Sequence, residues 1–223
     1  MSKTLVLHYQ PGGRGDFLAG SFYDMFVERN DGAVRRPIGI EYKSVHVVND
    51  YTFLDNPDTV KVRISSGIIN EDNTWNGTSI SPSLQIAHNW FTKHARMFSR
   101  NPHYMTMEPC EQYYHCVHFF CMYDMWAQPH RHKYDHWLDF KDINDIDYVN
   151  TLRLNIIGTP IPDTTRALMQ ANINNQPVWQ NSERAEMIEQ VRQLIDQELE
   201  QGIFLGPTWD HVPVEEKLQT LKG

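Results

Sequence analysis

The residues best placed to do chemistry lie close to the amino end of the sequence, in Leu5-Val6-Leu7-His8-Tyr9-Gln10-Pro11-Gly12-Gly13-Arg14-Gly15-Asp16-Phe17-Leu18. An apolar run ends, glycines follow, and an apolar pattern at helical spacing begins. A strand that hands over to a helix through glycines turns several backbone N–H groups toward one spot, where the positive end of the helix dipole also points. Glycine lets the backbone approach a phosphate or sulfate without a Cβ in the way. Gly12, Gly13, Arg14 and Gly15 are therefore the candidate anion loop, with the Arg14 guanidinium as a bidentate partner for the anion. His8, at the end of the strand, is a candidate base or donor toward that pocket; the competing role is a hydrogen bond at the sheet edge. Neither G-x4-G-K-[ST] nor G-x-G-x-x-G is present. Asp16 puts a carboxylate where an anion needs a donor. The plain alternative is a tight turn with no ligand. Arg14-Gly15-Asp16 also spells a cell-adhesion tripeptide, which we read as coincidence.

A second concentration of reactive side chains lies further on. His103, His115, His118, His130, His132 and His136 share the stretch that also holds Cys110, Cys116 and Cys121. His115 and His118 would share a helical face, and zinc or iron binds such groups. No C-x2-C pair is present, and the candidates alternate with large apolar residues, so buried small hydrophobes are the expected role of the cysteines. No metal is expected, nor is a cysteine nucleophile, since nothing marks one thiol as activated. Tyr113, Tyr114, Phe119, Phe120, Tyr123 and Trp126 are expected in the core, with adenine stacking or a subunit contact as the alternative.

The elements that must position these groups follow from periodicity. Strands are expected over 4–9, 38–48, 59–64, 103–107 and 137–140. A helix should start after Asp16 as cap and run over 17–26, and a surface loop should cover 65–81. A helix over 82–99 opens on Pro82 and ends before Asn101-Pro102. The aromatic stretch 111–126 reads as helix or buried strand, with helix preferred. The carboxyl-terminal part is helical: Asn144 to Ile157 closed by Gly158, Asp163 to Ile173, and an amphipathic helix capped by Ser182, running to Leu199 and stopped by Gly202. That last helix covers its own chain or docks to a second copy. The expected fold class is α/β, a mainly parallel sheet flanked by helices with a helical carboxyl-terminal part. Residues 1–142 form the α/β body and 143–223 the helices packed on it, within a single domain.

Composition narrows the function classes. In 223 residues, 40% are hydrophobic and 12% aromatic, enough for a core. The formal charge of −8 opposes a surface built for nucleic-acid phosphates. The expected partners are thus neither nucleic acid nor membrane. No apolar run approaches the roughly 20 residues needed to cross a bilayer. The opening residues show no signal-peptide pattern, and three cysteines do not make a disulfide framework. The expected location is cytoplasmic.

On Pro11-Gly12-Gly13-Arg14-Gly15-Asp16-Phe17-Leu18-Ala19 and on Leu138-Asp139-Phe140-Lys141-Asp142-Ile143, the chain resembles the sulfotransferase-like proteins carried by tailed phages, small α/β proteins of the P-loop NTPase-like type. The likeness covers both ends of the α/β body. It implies a loop that binds the 5′-phosphosulfate of 3′-phosphoadenosine 5′-phosphosulfate and transfer of the sulfuryl group to a hydroxyl. Laid on the family's Pro-Lys-x-Gly-Thr-Thr, Gly15 takes the glycine, Gly13 the lysine and Asp16 the first threonine. The charge-stabilising lysine is missing, and Arg14, one position away, is its implied substitute. Ser99 and Arg100 are the residue types that would hold the 3′-phosphate, and His8 is the candidate base. The alternative on the same fold is a non-catalytic virion structural or interaction protein with a degenerate loop, forming a homo-oligomer or contacting other virion proteins. In either case the location is host cytoplasm or virion. A small-molecule kinase is disfavoured by the missing lysine and the lack of evident magnesium ligands.

Overall fold

The computed structural model describes residues 4–9, 13–23, 42–45, 51–93, 107–205 and 213–221. Four strands, β1 (Thr4–Tyr9), β2 (Tyr42–Val45), β3 (Thr59–Ser65) and β4 (His136–Asp139), form one sheet in the order β2-β1-β3-β4. Every pair is parallel, with Leu7 opposite Ser44 and Val62, and Ile64 opposite Leu138. Seven α-helices are described: α1 (Gly15–Tyr23), α2 (Ser81–Lys93), α3 (Pro109–Ala127), α4 (Ile146–Ile157), α5 (Asp163–Asn174), α6 (Ala185–Glu200) and α7 (Val214–Leu221). The α/β class with a parallel sheet thus stands as expected from the sequence. None of these helices is long and apolar enough to cross a membrane.

The chain divides into two compact units that alternate along it. The first comprises residues 1–67 and 129–176, the second 68–128 and 177–223. The boundary expected after residue 142 falls inside the first unit.

In the first unit β1 is buried from Leu5 to Tyr9 and β3 from Lys61 to Ser65. Such continuous burial replaces the alternation of a one-faced sheet because helices cover a parallel sheet on both sides. Phe17, Leu18 and Phe22 of α1 belong to this core. The Arg153 guanidinium of α4 donates to the Ser21 carbonyl at 2.7 Å, which fixes α4 against α1. Helix α4 begins with Asp145, not Asn144, as its cap: the Asp145 carboxylate accepts from the N–H groups of Asp147 and Tyr148. It ends where Gly158 turns left-handed at φ 84°, as the sequence suggested.

The second unit is helical. Of the surface loop expected over 65–81, Ser65 ends β3 and Ser81 opens α2; residues 68–80 carry an isolated bridge between Ile69 and Trp75, and Ile68, Ile69 and Ile80 are buried, not at the surface. The ambiguous aromatic stretch is helix α3, nineteen residues long. Cys116, Val117, Phe120 and Cys121 are fully buried there. Ser182 does not cap α6: its hydroxyl donates to the Trp179 carbonyl at 2.7 Å, and the helix opens three residues later. Ile188, Val191 and Ile195 of α6 are fully buried, and Gly202 past its end has φ 72°. Helix α7 has no counterpart in the sequence reading. Residues 103–106 of the strand expected over 103–107, and parts of that expected over 38–48, lie outside the described residues, as do the ends of the helices expected over 17–26 and 82–99.

Candidate functional site

The order β2-β1-β3-β4 makes the chain leave β1 toward one side of the sheet and β3 toward the other. The crevice beyond the carboxyl ends of β1 and β3 is where such sheets bind ligands. The glycine turn lies at that edge, between Tyr9 and α1. Position is therefore favourable for the anion loop, and the side chains decide what the corner holds.

Gly15 opens α1, and a Cβ built on it would stand 2.0 Å from a ring carbon of Tyr9. The glycine at this point is required by close approach of the Tyr9 ring. That ring is buried and its hydroxyl donates to the Asp16 carboxylate at 3.4 Å. Asp16 itself is exposed. It is a first-turn acid on the helix, where a carboxylate meets the positive end of the dipole, and not the N-cap.

Arg14 takes a left-handed backbone, φ 58°, a conformation uncommon outside glycine, asparagine and aspartate. Its guanidinium is turned to three side-chain amides. It donates to Asn144 Oδ1, to Gln176 Oε1 at 2.6 Å and to Asn172 Oδ1 at 2.6 Å. It also lies 3.8 Å from the centre of the Phe17 ring. Arg14 is 8% exposed, and burial brings its pKa down to about 10. These acceptors are neutral, so among the described residues the guanidinium has no carboxylate beside it, and its hydrogen bonds are made to α5 and to the flanks of α4 and α5.

His8 lies inside the sheet, not at its edge. It is fully buried on the central strand, with Nδ1 at 2.5 Å from the Tyr134 hydroxyl. Its ring stacks on Tyr134 and meets Phe53 edge-on. Beside it the fully buried Arg63 donates to the His8 carbonyl at 3.4 Å and faces Trp137. Of the sequence-derived candidates, Gly13, Arg14 and Gly15 stay together at the turn, and His8 is one residue behind Tyr9 but sealed in the core. Gly12, Ser99 and Arg100 lie outside the described residues.

The sheet edge also holds residues that the sequence reading did not single out as a site. Ser65, at the end of β3, donates to Asp139 Oδ1 at the end of β4 (3.2 Å), and the Gly67 N–H donates to the Ser65 hydroxyl at 3.2 Å. A Cβ on Gly67, at φ 77°, would stand 2.8 Å from Asp139 Cγ. Lys141 is 3.9 Å from the other Asp139 oxygen. Asp142 has a raised pKa, first from burial and then from the Asp139 charge. Only register across the sheet brings Ser65 next to Asp139, so no local motif could have signalled the pair.

An open depression of about 560 Å³ lies at the start of α4, lined by Asn144, Asp145, Asp147, Asp163, Arg166 and Gln170. Arg166 is paired with Asp147 at 2.6 Å. Three carboxylates against one paired guanidinium give the depression the wrong sign for a phosphosulfate.

The cysteines of α3 are buried, as is His88 of α2, while His115 and His118 of α3 are half-buried. His88 Nδ1 lies 3.0 Å from the Tyr113 hydroxyl. Burial, then the charge of Arg184, lowers the His88 pKa. Burial, then neighbouring His115, brings His118 down to about 4. The thiols of Cys116 and Cys121 are pushed well above the usual range by burial, which opposes thiolate chemistry. Among the described residues, no three His, Cys, Asp or Glu side chains converge as a metal site.

Taken together, the first unit is a parallel α/β unit in which the Tyr9 ring packs on Gly15 and Arg14 is held by Asn144, Asn172 and Gln176. No protein-family model, curated protein or solved structure matches this chain.

Proposed function

We propose that the chain is a sulfotransferase-like α/β protein of the P-loop type whose donor corner has been given over to internal packing. On this reading it acts by association, as a virion structural or interaction protein. The observation that carries this reading is the use made of the corner's own side chains. The Tyr9 ring packs on Gly15, and Arg14 is held by Asn144, Asn172 and Gln176. A sulfuryl-transfer site needs a cation at the bridging oxygen and a base near the acceptor hydroxyl. The two candidates for those roles, Arg14 and His8, are both engaged in the core.

A second reading, sulfuryl transfer from 3′-phosphoadenosine 5′-phosphosulfate to a hydroxyl, is favoured by two observations. The glycine turn sits at the carboxyl end of the central strand, and Arg14 brings a buried positive charge with no carboxylate partner among the described residues. In this reading the amide clamp is a resting arrangement that the anion displaces.

Thermal unfolding with adenosine 3′,5′-bisphosphate separates the two. The first reading expects no change in Tm at millimolar ligand, together with stable self-association or co-sedimentation with particles. The second expects a rise in Tm that grows with ligand concentration and disappears in Arg14→Gln. Stabilisation of that kind in a monomeric protein would sink the first reading.

A further inference from the structure

Within the second unit, α7 lies on α3 and α6. It directs Val214, Lys217 and Leu218, at spacings of three and four residues, onto those helices, each less than a tenth exposed. Lys217 Nζ is 2.9 Å from Glu198 Oε1 on α6 and 3.4 Å from the Tyr114 hydroxyl on α3. Tyr114 donates in turn to the other Glu198 oxygen. Phe204 meets the Tyr114 ring edge-on at 5.3 Å. One buried polar triad therefore ties three helices, and α7 supplies a single member of it.

The attachment of α7 is weak by construction. Eight residues are too few to hold helical form by themselves. Among its described side chains, two buried aliphatics, Val214 and Leu218, offset the ordering of the segment. A buried ion pair adds little net, because desolvation consumes most of its attraction. Helices α3 and α6, by contrast, bury side chains along their full length. Such a difference places α7 at the low end of local stability.

Cys110 stands in the first turn of α3, 7% exposed and four residues before Tyr114, on the helical face that Lys217 of α7 meets. Burial raises its pKa, and the Glu215 carboxylate at the start of α7 adds to the rise. Cys116 and Cys121, further along the same helix, are fully buried.

We propose that α7 is a releasable strap over the α3–α6 groove: it undocks as a unit, baring Tyr114 and Cys110, while α3 and α6 stay folded. The three cysteines report this directly. Iodoacetamide labelling of the full chain under native conditions, read per cysteine by mass spectrometry, should modify Cys110 about 10-fold or more faster than Cys116 and Cys121. Lys217→Met, which strands Glu198, should raise the Cys110 rate by a further factor of about 10 and leave the other two unchanged. Leu218→Ala keeps the ion pair and should raise Cys110 alone several-fold. One common rate for all three cysteines would overturn the strap. So would a Leu218→Ala protein in which Cys110 reacts no faster, or in which all three rates rise together.

Discussion

A methyl group at Gly15 would lie 2.0 Å from one ring carbon of Tyr9 and 2.2 Å from the next, so alanine there forces the ring or the helix start to move. Gly15→Ala should therefore cost about 1–3 kcal/mol of stability, the usual range for overpacking a filled site. Tyr9→Leu combined with it should recover a large part, because the two changes share one clash. Urea unfolding of the single and double variants measures both values. Additive losses would show that Tyr9 is not what the glycine accommodates. At this scale the sequence was half legible. The need for glycine at the strand–helix turn could be read from type and position. Its cause could not, because a phosphate and a tyrosine ring make the same demand on the backbone. Arg14 is a similar case: its charge was visible, but Asn144, Asn172 and Gln176 lie far along the chain and nothing local announces them.

Helix α3 shows what periodicity can and cannot decide. An almost continuously apolar, aromatic stretch gives periodicity little to choose by; in α3 ten of the nineteen residues are buried, and Trp126, expected in the core, is 42% exposed. The same burial makes α3 sensitive to acid. His118 titrates at about 4 in the folded protein and near 6.5 when exposed. Between those values the unfolded chain binds more protons, so stability contributed by the neutral ring is complete above pH 6.5 and is lost as pH falls toward 4. The slope is at most about 1.4 kcal/mol per pH unit for one group. Denaturant midpoints between pH 7 and pH 4.5 should fall less steeply for His118→Gln than for the native chain. An unchanged slope would show that the imidazole charges without resistance. The caps were less legible than the helices. Asn144 and Asp145 are both good capping types; Asn144 accepts from Arg14 and the Asp145 carboxylate makes the cap. Helix α7 was missed because an eight-residue amphipathic segment gives too little pattern to separate from a loop.

On the scale of the whole molecule, the division expected at residue 142 separates an α/β body from a helical part, while contacts group residues otherwise. The helices that complete the first unit, α4 and α5, come after that point. So do α6 and α7, which complete the second. A fragment of residues 1–142 keeps all four strands but lacks part of the core of both units. It should show no cooperative thermal transition and little near-ultraviolet circular dichroism, where the full chain shows both. A sharp melt of that fragment would mean that β1 to β4 and α1 suffice. Sequence order hides this arrangement because a discontinuous unit leaves no mark in composition.

The interleaving bears on how the protein is born. A ribosome releases β1, β2 and β3 early, then goes on to make α2 and α3, which belong elsewhere, before β4 and its covering helices emerge. During that interval the nascent strand β3 has an unclaimed border, open to any neighbouring chain. Slow synthesis would lengthen the exposure, so yield should depend on translation speed and on the chaperones that shield such borders.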